Sequence, residues 1–254
     1  MIEVKNIACG YKKGIDVIKD CNFSLERGET LVLLGKNGAG KSTILKAILG
    51  LIKLNDGEIL IDGVNIKDLN IKQKAKLISY VPQNVSLPPL SVKDTVLSSR
   101  LSYYLFNPSD KDLEVVDKVI DDLGLKDIKD KDASTTSGGE AQLVAIARSL
   151  AQEPKFIVFD EPSSNLDILN INLLEKMIKK IKNAGIGCII ALHDLNMAYK
   201  LGDKFLFLKD GNTIAFGDKS VFCEENVSNA YSKHINIKKI ENNLIINIKE
   251  KDND

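Results

Sequence analysis

Residues 35–43 read GKNGAGKST, three glycines and two lysines in nine positions. The apolar run TLVLLG (30–35) leads in, and ILKAILGLI (44–52), which reads as a helix, follows. Glycine is a poor helix former, yet here it crowds the mouth of a helix. Without a Cβ, the backbone can fold tightly enough for successive N–H groups to point inward at one anion. The spacing from Gly35 to Ser42 is GxxxxGK[ST], with Asn37, Gly38 and Ala39 inside the loop ahead of Gly40. The predicted ligand is a polyphosphate. Backbone N–H groups and the positive helix end take the β-phosphate, and Lys41 bridges the β- and γ-phosphates. The Ser42 hydroxyl ligates Mg²⁺, and Thr43 lies near the α-phosphate.

Hydrolysing such a ligand needs acids that hold Mg²⁺ and activate water. FIVFDEP (156–162) supplies them. Phe156 to Phe159 read as a buried strand with Asp160 and Glu161 at its C-terminal end, the edge where parallel α/β sheets bind ligands. Asp160 is expected to hold Mg²⁺ through water, and Glu161 to act as general base. No NKxD guanine-reading motif occurs, which disfavours a GTPase.

The length of 254 residues suits one large domain carrying an inserted subdomain. Lysine plus arginine equals aspartate plus glutamate, 35 each, so no overall basic footprint points to nucleic acid. Cys9, Cys21, Cys188 and Cys223 form no CxxC pair and read as free thiols of a reducing cytosol. The first residues, MIEVKNIACGYKKG, have no long apolar stretch of the signal-peptide kind. No run of about 18 uncharged apolar residues occurs, so any membrane part is expected on another chain.

IEVKNIACGY alternates apolar and polar residues, VIKDCNFSL follows, and GEILIDGVNI surrounds an Asp62-Gly63 turn. KDLEVVDKVIDDLGL has helical spacing at Leu113, Val116, Val119, Ile120 and Leu123, with Gly124 as C-cap. GGEAQLVAIARSLAQ reads as a second helix with Leu143, Ile146, Ala147 and Leu150 on one face. KFIVFD, the helix LLEKMIKKIKNAG and CIIALHD then make strand, helix, strand, which argues for a parallel sheet. KFLFLKDGNTIAFGD reads as a hairpin turning at Asp210-Gly211. HINIKKIENNLIINIKEKDND allows one more hairpin before a charged end.

Between the two phosphate motifs, Thr136-Ser137-Gly138-Gly139-Glu140 opens the helix AQLVAIARSL. Serine and glycine N–H groups at a helix N-terminus again suit an anion. This segment resembles the LSGGQ-type signature of ATP-binding cassette (ABC) ATPases. The resemblance covers nearly the whole chain, from Ile2 to about Gly217. It implies a P-loop NTPase fold: a RecA-like α/β core, an antiparallel β subdomain, and a helical subdomain inserted at about 84–152. A short C-terminal extension, 218–254, follows the ATPase domain of 1–217. The signature residues Ser137, Gly138, Gly139 and Glu140 are implied to act on an ATP held by the opposite subunit of a head-to-tail dimer. Tyr11 matches the aromatic that stacks on adenine. Gln83 matches the Q-loop glutamine that contacts Mg²⁺ and water, and Asp167 belongs to an interface D-loop. His193 matches the switch histidine that touches the γ-phosphate. The chain departs from the pattern at Thr136, where leucine is usual, at Glu140, where glutamine is common, and at Ala141 and Leu143, where basic residues are common.

The resemblance further implies a transmembrane permease partner. Leu101, Tyr103, Tyr104, Leu105 and Phe106, in the segment after Gln83, are candidates for docking it. VKDTVLSSR and HDLNMAYKLGDKFLFLKDGNTIAFGD are similar to the ATPases of importers for iron–siderophore complexes, haem and vitamin B12. A homodimer or paired ATPase subunit, permease subunits and a solute-binding protein are the implied partners, with no nucleic acid. The location implied is cytoplasmic, on the inner face of the membrane. The alternative reading is a soluble ABC ATPase of iron–sulfur cluster assembly.

Overall fold

The computed structural model describes residues 1–12, 14–104, 106–164, 166, 168–240 and 243–248. In chain order the strands and helices begin with β1 (Ile2–Cys9), β2 (Ile18–Leu25), β3 (Thr30–Leu34), α1 (Lys41–Ile48), β4 (Leu54–Ile61) and β5 (Val64–Asn65). Next come α2 (Ile71–Leu77), β6 (Ile78–Val81), α3 (Val92–Leu97), α4 (Asp110–Asp122), α5 (Gly138–Ala151) and β7 (Phe156–Asp160). The remainder is α6 (Ile168–Asn183), β8 (Gly187–Ala191), α7 (Leu195–Leu201), β9 (Lys204–Lys209), β10 (Asn212–Gly217), α8 (Glu224–Tyr231), β11 (Ile235–Ile240) and β12 (Asn243–Ile248).

Strands β9, β3, β8, β7 and β6 lie side by side and parallel. In β3, β7 and β8 every residue is buried. A parallel strand covered by helices on both faces cannot alternate with polar residues, which is why these read as unbroken apolar runs. Fully burying one such Val, Leu, Ile or Phe contributes about 1.5–3 kcal/mol. Antiparallel strands β5, β4, β1 and β2 form a second region, joined to the core sheet where Lys19 of β2 pairs with Asn212 of β10. Both hairpin turns read from the sequence are present. Asp62 and Gly63 have φ of 50° and 79°, Asp210 and Gly211 48° and 80°, the left-handed pair that a two-residue hairpin requires.

Between β6 and β7 the chain runs through α3, α4 and α5, which share their own apolar cluster of Val92, Val96, Val116, Ile120, Val144 and Ala147. Gly124, at φ 67°, closes α4 as expected, with the Leu125 N–H bonded back to Ile120 O at 2.9 Å. The single apolar face expected for the second helix is corrected. Leu143 and Leu150 are half-buried, while Gln142, Val144, Ala145, Ile146, Ala147 and Ser149 are buried. α5 is wedged between the helical cluster and the core sheet, so it is covered on two sides. The tail forms the hairpin β11–β12, with Ile235 opposite Ile248 in the backbone register. Helices α7 and α8 have no counterpart in the sequence reading. No helix among the described residues is long and apolar enough to cross a membrane.

Candidate active site

Four neighbouring strands, in the spatial order β3, β8, β7, β6, release the motif residues at their C-terminal ends. The glycine loop leaves β3, His193 follows β8, Asp160 and Glu161 end β7, and Gln83 follows β6. Register brings them level. Asp160 pairs with Ala191, and the Glu161 N–H donates to Ala191 O at 3.1 Å. Residues far apart in sequence therefore meet along one sheet edge.

The loop bears out the glycine argument at two positions. A Cβ on Gly35 would stand 2.4 Å from Leu208 O, and Gly40 has φ 107° with Ile18 in the space a side chain would need. No side chain caps α1. Lys41 is buried at 5% exposure and folds back, its Nζ donating to Gly35 O at 2.9 Å and Lys36 O at 3.3 Å. Burial pulls its pKa down, and the charges of Glu161 and Asp160 oppose that pull.

Ser42 Oγ donates to Asp160 Oδ1 at 3.1 Å, and the Tyr80 hydroxyl to Oδ2 at 3.5 Å. Burial raises the Asp160 carboxyl, with the Ser42 hydrogen bond opposing it. Burial and the Asp160 charge push the Tyr80 phenol up to about 12. Glu161 stands at φ 49°, a conformation unfavourable for a non-glycine residue and concentrated at functional sites. Its two oxygens have separate partners. Gln83 Nε2 donates to Oε2 at 2.9 Å, and His193 Nε2 lies 2.5 Å from Oε1. With the carboxylate ionised, the imidazole must donate through Nε2.

A cavity of 440 Å³ is lined by Tyr11, Val17, Asn37, Gly38, Gly40, Lys41, Ser42, Thr43, Gln83 and Glu161, whereas Asp160 and His193 support this lining through Ser42 and Glu161. Gly35 and Ala39 shape the loop without lining it. Tyr11, 58% exposed, is steered by Thr43 Oγ1 at 3.4 Å and Lys46 Nζ at 3.3 Å from its hydroxyl. A larger cavity, 530 Å³, lies beyond the C-terminal end of α1 but holds none of the motif residues. Size alone does not locate the site.

The signature residues are absent from the lining of the 440 Å³ cavity. Ser137 caps α5, and Glu140 Oε2 accepts the Ser137 N–H at 2.7 Å and Lys131 Nζ at 3.4 Å. Gly138 instead borders a smaller cavity with Gln83. Asp167 and Leu105 lie outside the described residues. Val17, Lys46 and Tyr80 were not singled out from the sequence. They belong to no motif, and only the fold brings them to the site.

The ABC transporter family profile matches residues 18–164. The chain belongs to the ABC transporter family. An uncharacterised ABC transporter ATP-binding protein of Methanocaldococcus jannaschii is 40% identical over 91% of each chain. A solved chain of a transporter described as metal-chelate type, in an inward-facing conformation, superposes with a TM-score of 0.82. It is 27% identical and covers 98% of this chain and 96% of that one. A dimeric ATP-binding cassette in a post-hydrolysis state, bound to ADP and Pi, superposes with a TM-score of 0.73. It is 29% identical and covers 86% of this chain and 98% of that one. This ABC protein is an ATPase with the P-loop NTPase fold.

Proposed function

We propose that this ABC ATPase powers import of a metal chelate of the iron–siderophore, haem or cobalamin kind through a separate membrane permease. The observation that carries the catalytic part is Glu161, held between Gln83 and His193 beside Lys41, Ser42 and Asp160. In the reaction, a water oxygen bonds to the γ-phosphorus as the bridging bond to the β-phosphate breaks, giving ADP and phosphate. Glu161 takes the water's proton, for which one of its oxygens must leave its resting partner. Lys41 exchanges the Gly35 and Lys36 carbonyls for phosphate oxygens, Gln83 orients the water and His193 meets the γ-phosphate. Tyr11 stacks on the base. Ser42, Asp160 and Gln83 offer hard oxygen donors of the type Mg²⁺ takes; Ser42 and Gln83 line the cavity and Asp160 is hydrogen-bonded to Ser42, an arrangement that fits that ion. Bound there with ATP, Mg²⁺ would neutralise charge on the phosphates.

Ser137, Gly138, Gly139 and Glu140 stand outside the nucleotide cavity of their own chain, which supports the reading that they complete the site of a second copy. Asp167 is assigned to that same interface from the sequence pattern. For the permease contact, Leu101 is 58% exposed and Phe106 92%, large apolar surface left uncovered by the described residues. Tyr103 is turned inward instead. Its hydroxyl donates to Gln152 O at 2.7 Å, and Arg100 and Lys76 lie 4.2 and 4.5 Å from its ring centre. The metal-chelate description of one structural relative supports the cargo class. Docking on a permease places the chain on the inner face of the membrane, with a solute-binding protein in the complete system.

The test is co-purification. Glu161→Gln, tagged in its native cells and loaded with ATP–Mg²⁺, is expected to bring down a polytopic membrane protein together with a solute-binding protein. Recovery of soluble scaffold proteins alone would replace transport with iron–sulfur cluster assembly.

A further inference from the structure

The chain beyond β10 plays no part in the chemistry above, yet it packs against the site's supports. Ile235, Val227, Ala230 and Leu244, all buried, join Met197, Tyr199 and Leu201 of α7 in one apolar cluster. Phe222 meets Tyr199, Phe205 and Phe207 edge-on, with ring centres 5.2, 5.0 and 5.4 Å apart. Tyr231 of α8 lies with its hydroxyl beside the Gly35 N–H and in the field of Asp194, completing no hydrogen bond there. The unit therefore touches both the first residue of the phosphate loop and the segment after His193.

α7 starts two residues after His193. Asp194 caps it, accepting the Met197 N–H at 2.8 Å. Two residues further on, Asn196 Oδ1 accepts the Leu244 N–H of β12 at 2.8 Å. α7 also borders a cavity of 150 Å³ whose lining includes Ser163, Ile171, Glu175 and Asn196 itself. Free volume therefore lies beside α7, next to its contact with the hairpin. Apolar contacts are non-directional and tolerate sliding. A hydrogen bond from a backbone N–H does not, because it weakens steeply with misalignment. The 2.5 Å contact between His193 and Glu161 leaves little room for such sliding.

We propose that the C-terminal unit is a positioning element of the ATPase site, and that through Asn196 it holds α7 where His193 meets Glu161. This rests on the reading of His193 and Glu161 as functional partners. Steady-state ATPase and thermal unfolding of the full chain test it. Asn196→Ala is expected to lower kcat about tenfold, the worth of about one hydrogen bond, with KM for ATP changed less than about twofold and Tm nearly unchanged. Asn196→Asp keeps an acceptor oxygen for the Leu244 N–H and should restore kcat. In a His193→Ala background, Asn196→Ala should cost nothing further, because residues acting as one unit are non-additive. Should Asn196→Ala fail to fold, Asn196→Gln moves the acceptor by one methylene and gives the same readout. Parental kcat in the Ala variant, a loss that Asp does not repair, or full additivity with His193→Ala would each overturn the proposal. Full activity of His193→Ala alone would overturn instead the reading of the site on which it rests.

Discussion

Lys41 is a buried cation whose hydrogen bonds go to the loop's own carbonyls. A buried charge needs partners, and two neutral oxygens are weaker ones than a polyphosphate. On the phosphate-cradle reading the ligand supplies the stronger partners, and Lys41→Ala is expected to weaken ATP binding by about 100-fold or more, the worth of charge-assisted hydrogen bonds. Calorimetric titration checks this, and unchanged affinity would sink the phosphate-cradle reading. The thiols allow a second test. Burial pushes Cys9 and Cys21 up to about 11 and Cys188 up to about 12. At pH 8 a group titrating near 11 is only about one-thousandth thiolate, the reactive form. Alkylation of the folded chain should mark Cys223, which is partly exposed, and all four sites should react in guanidinium. Mass spectrometry of peptides decides, and rapid native labelling of Cys188 would contradict its burial.

Among elements, one buried cation bridges α4 and α5 beside the apolar cluster they share. Arg100, 1% exposed, donates through Nε to Asp112 Oδ1 at 2.7 Å and through Nη1 to Ala151 O at 2.7 Å. Removing one partner of a buried pair leaves the other charge uncompensated. Arg100→Ala should destabilise by about 3 kcal/mol in urea unfolding, and a loss below about 1 kcal/mol would show the pair to be dispensable. Hydrogen bonds from Ser109, with Arg100 adding to them against burial, hold the Asp112 carboxyl down to about 2. Its ordinary value in an unfolded chain is about 3.9. The unfolded chain therefore binds more protons in this window, so this contribution is intact above about pH 4 and is lost as pH falls toward about 2. Asp112→Asn should flatten that part of the stability–pH curve, and an unchanged slope would discount the residue.

At the scale of the molecule, the proposed dimer would build each site from two chains. Phosphate loop, Gln83 and Glu161 line one cavity, while Ser137 and its glycines lie outside it. Glu161→Gln keeps the shape of the carboxylate but cannot accept the water's proton. It should lower turnover by about three orders of magnitude or more and accumulate an ATP-bound dimer, since a general base contributes about 10²–10⁴-fold. Light scattering with and without ATP–Mg²⁺ reads the dimer. Normal steady-state turnover in this variant would overturn the general-base assignment.

Much of this was legible because the chemistry is local. GKNGAGKST needs its glycines wherever it occurs, and FIVFDEP announces a buried strand ending in two acids. The turns at Asp62-Gly63 and Asp210-Gly211 follow from left-handed backbone at adjacent residues. By itself the sequence determined the glycine loop at the mouth of a helix, the parallel core and the order of the motifs. Other features depend on what lies across the fold. Tyr103 reads equally as docking surface or subdomain core, and it turns inward under Arg100 and Lys76. α5 is buried on two sides, so its amphipathic reading was too narrow. α8 buries only Val227 and Ala230 within a polar run, too few to mark a period. The pairing of Glu161 with His193, and the hold of Leu244 on Asn196, were decided by tertiary structure alone. They depend on strand order and register, which bring distant residues level at one edge, and no local spacing encodes that.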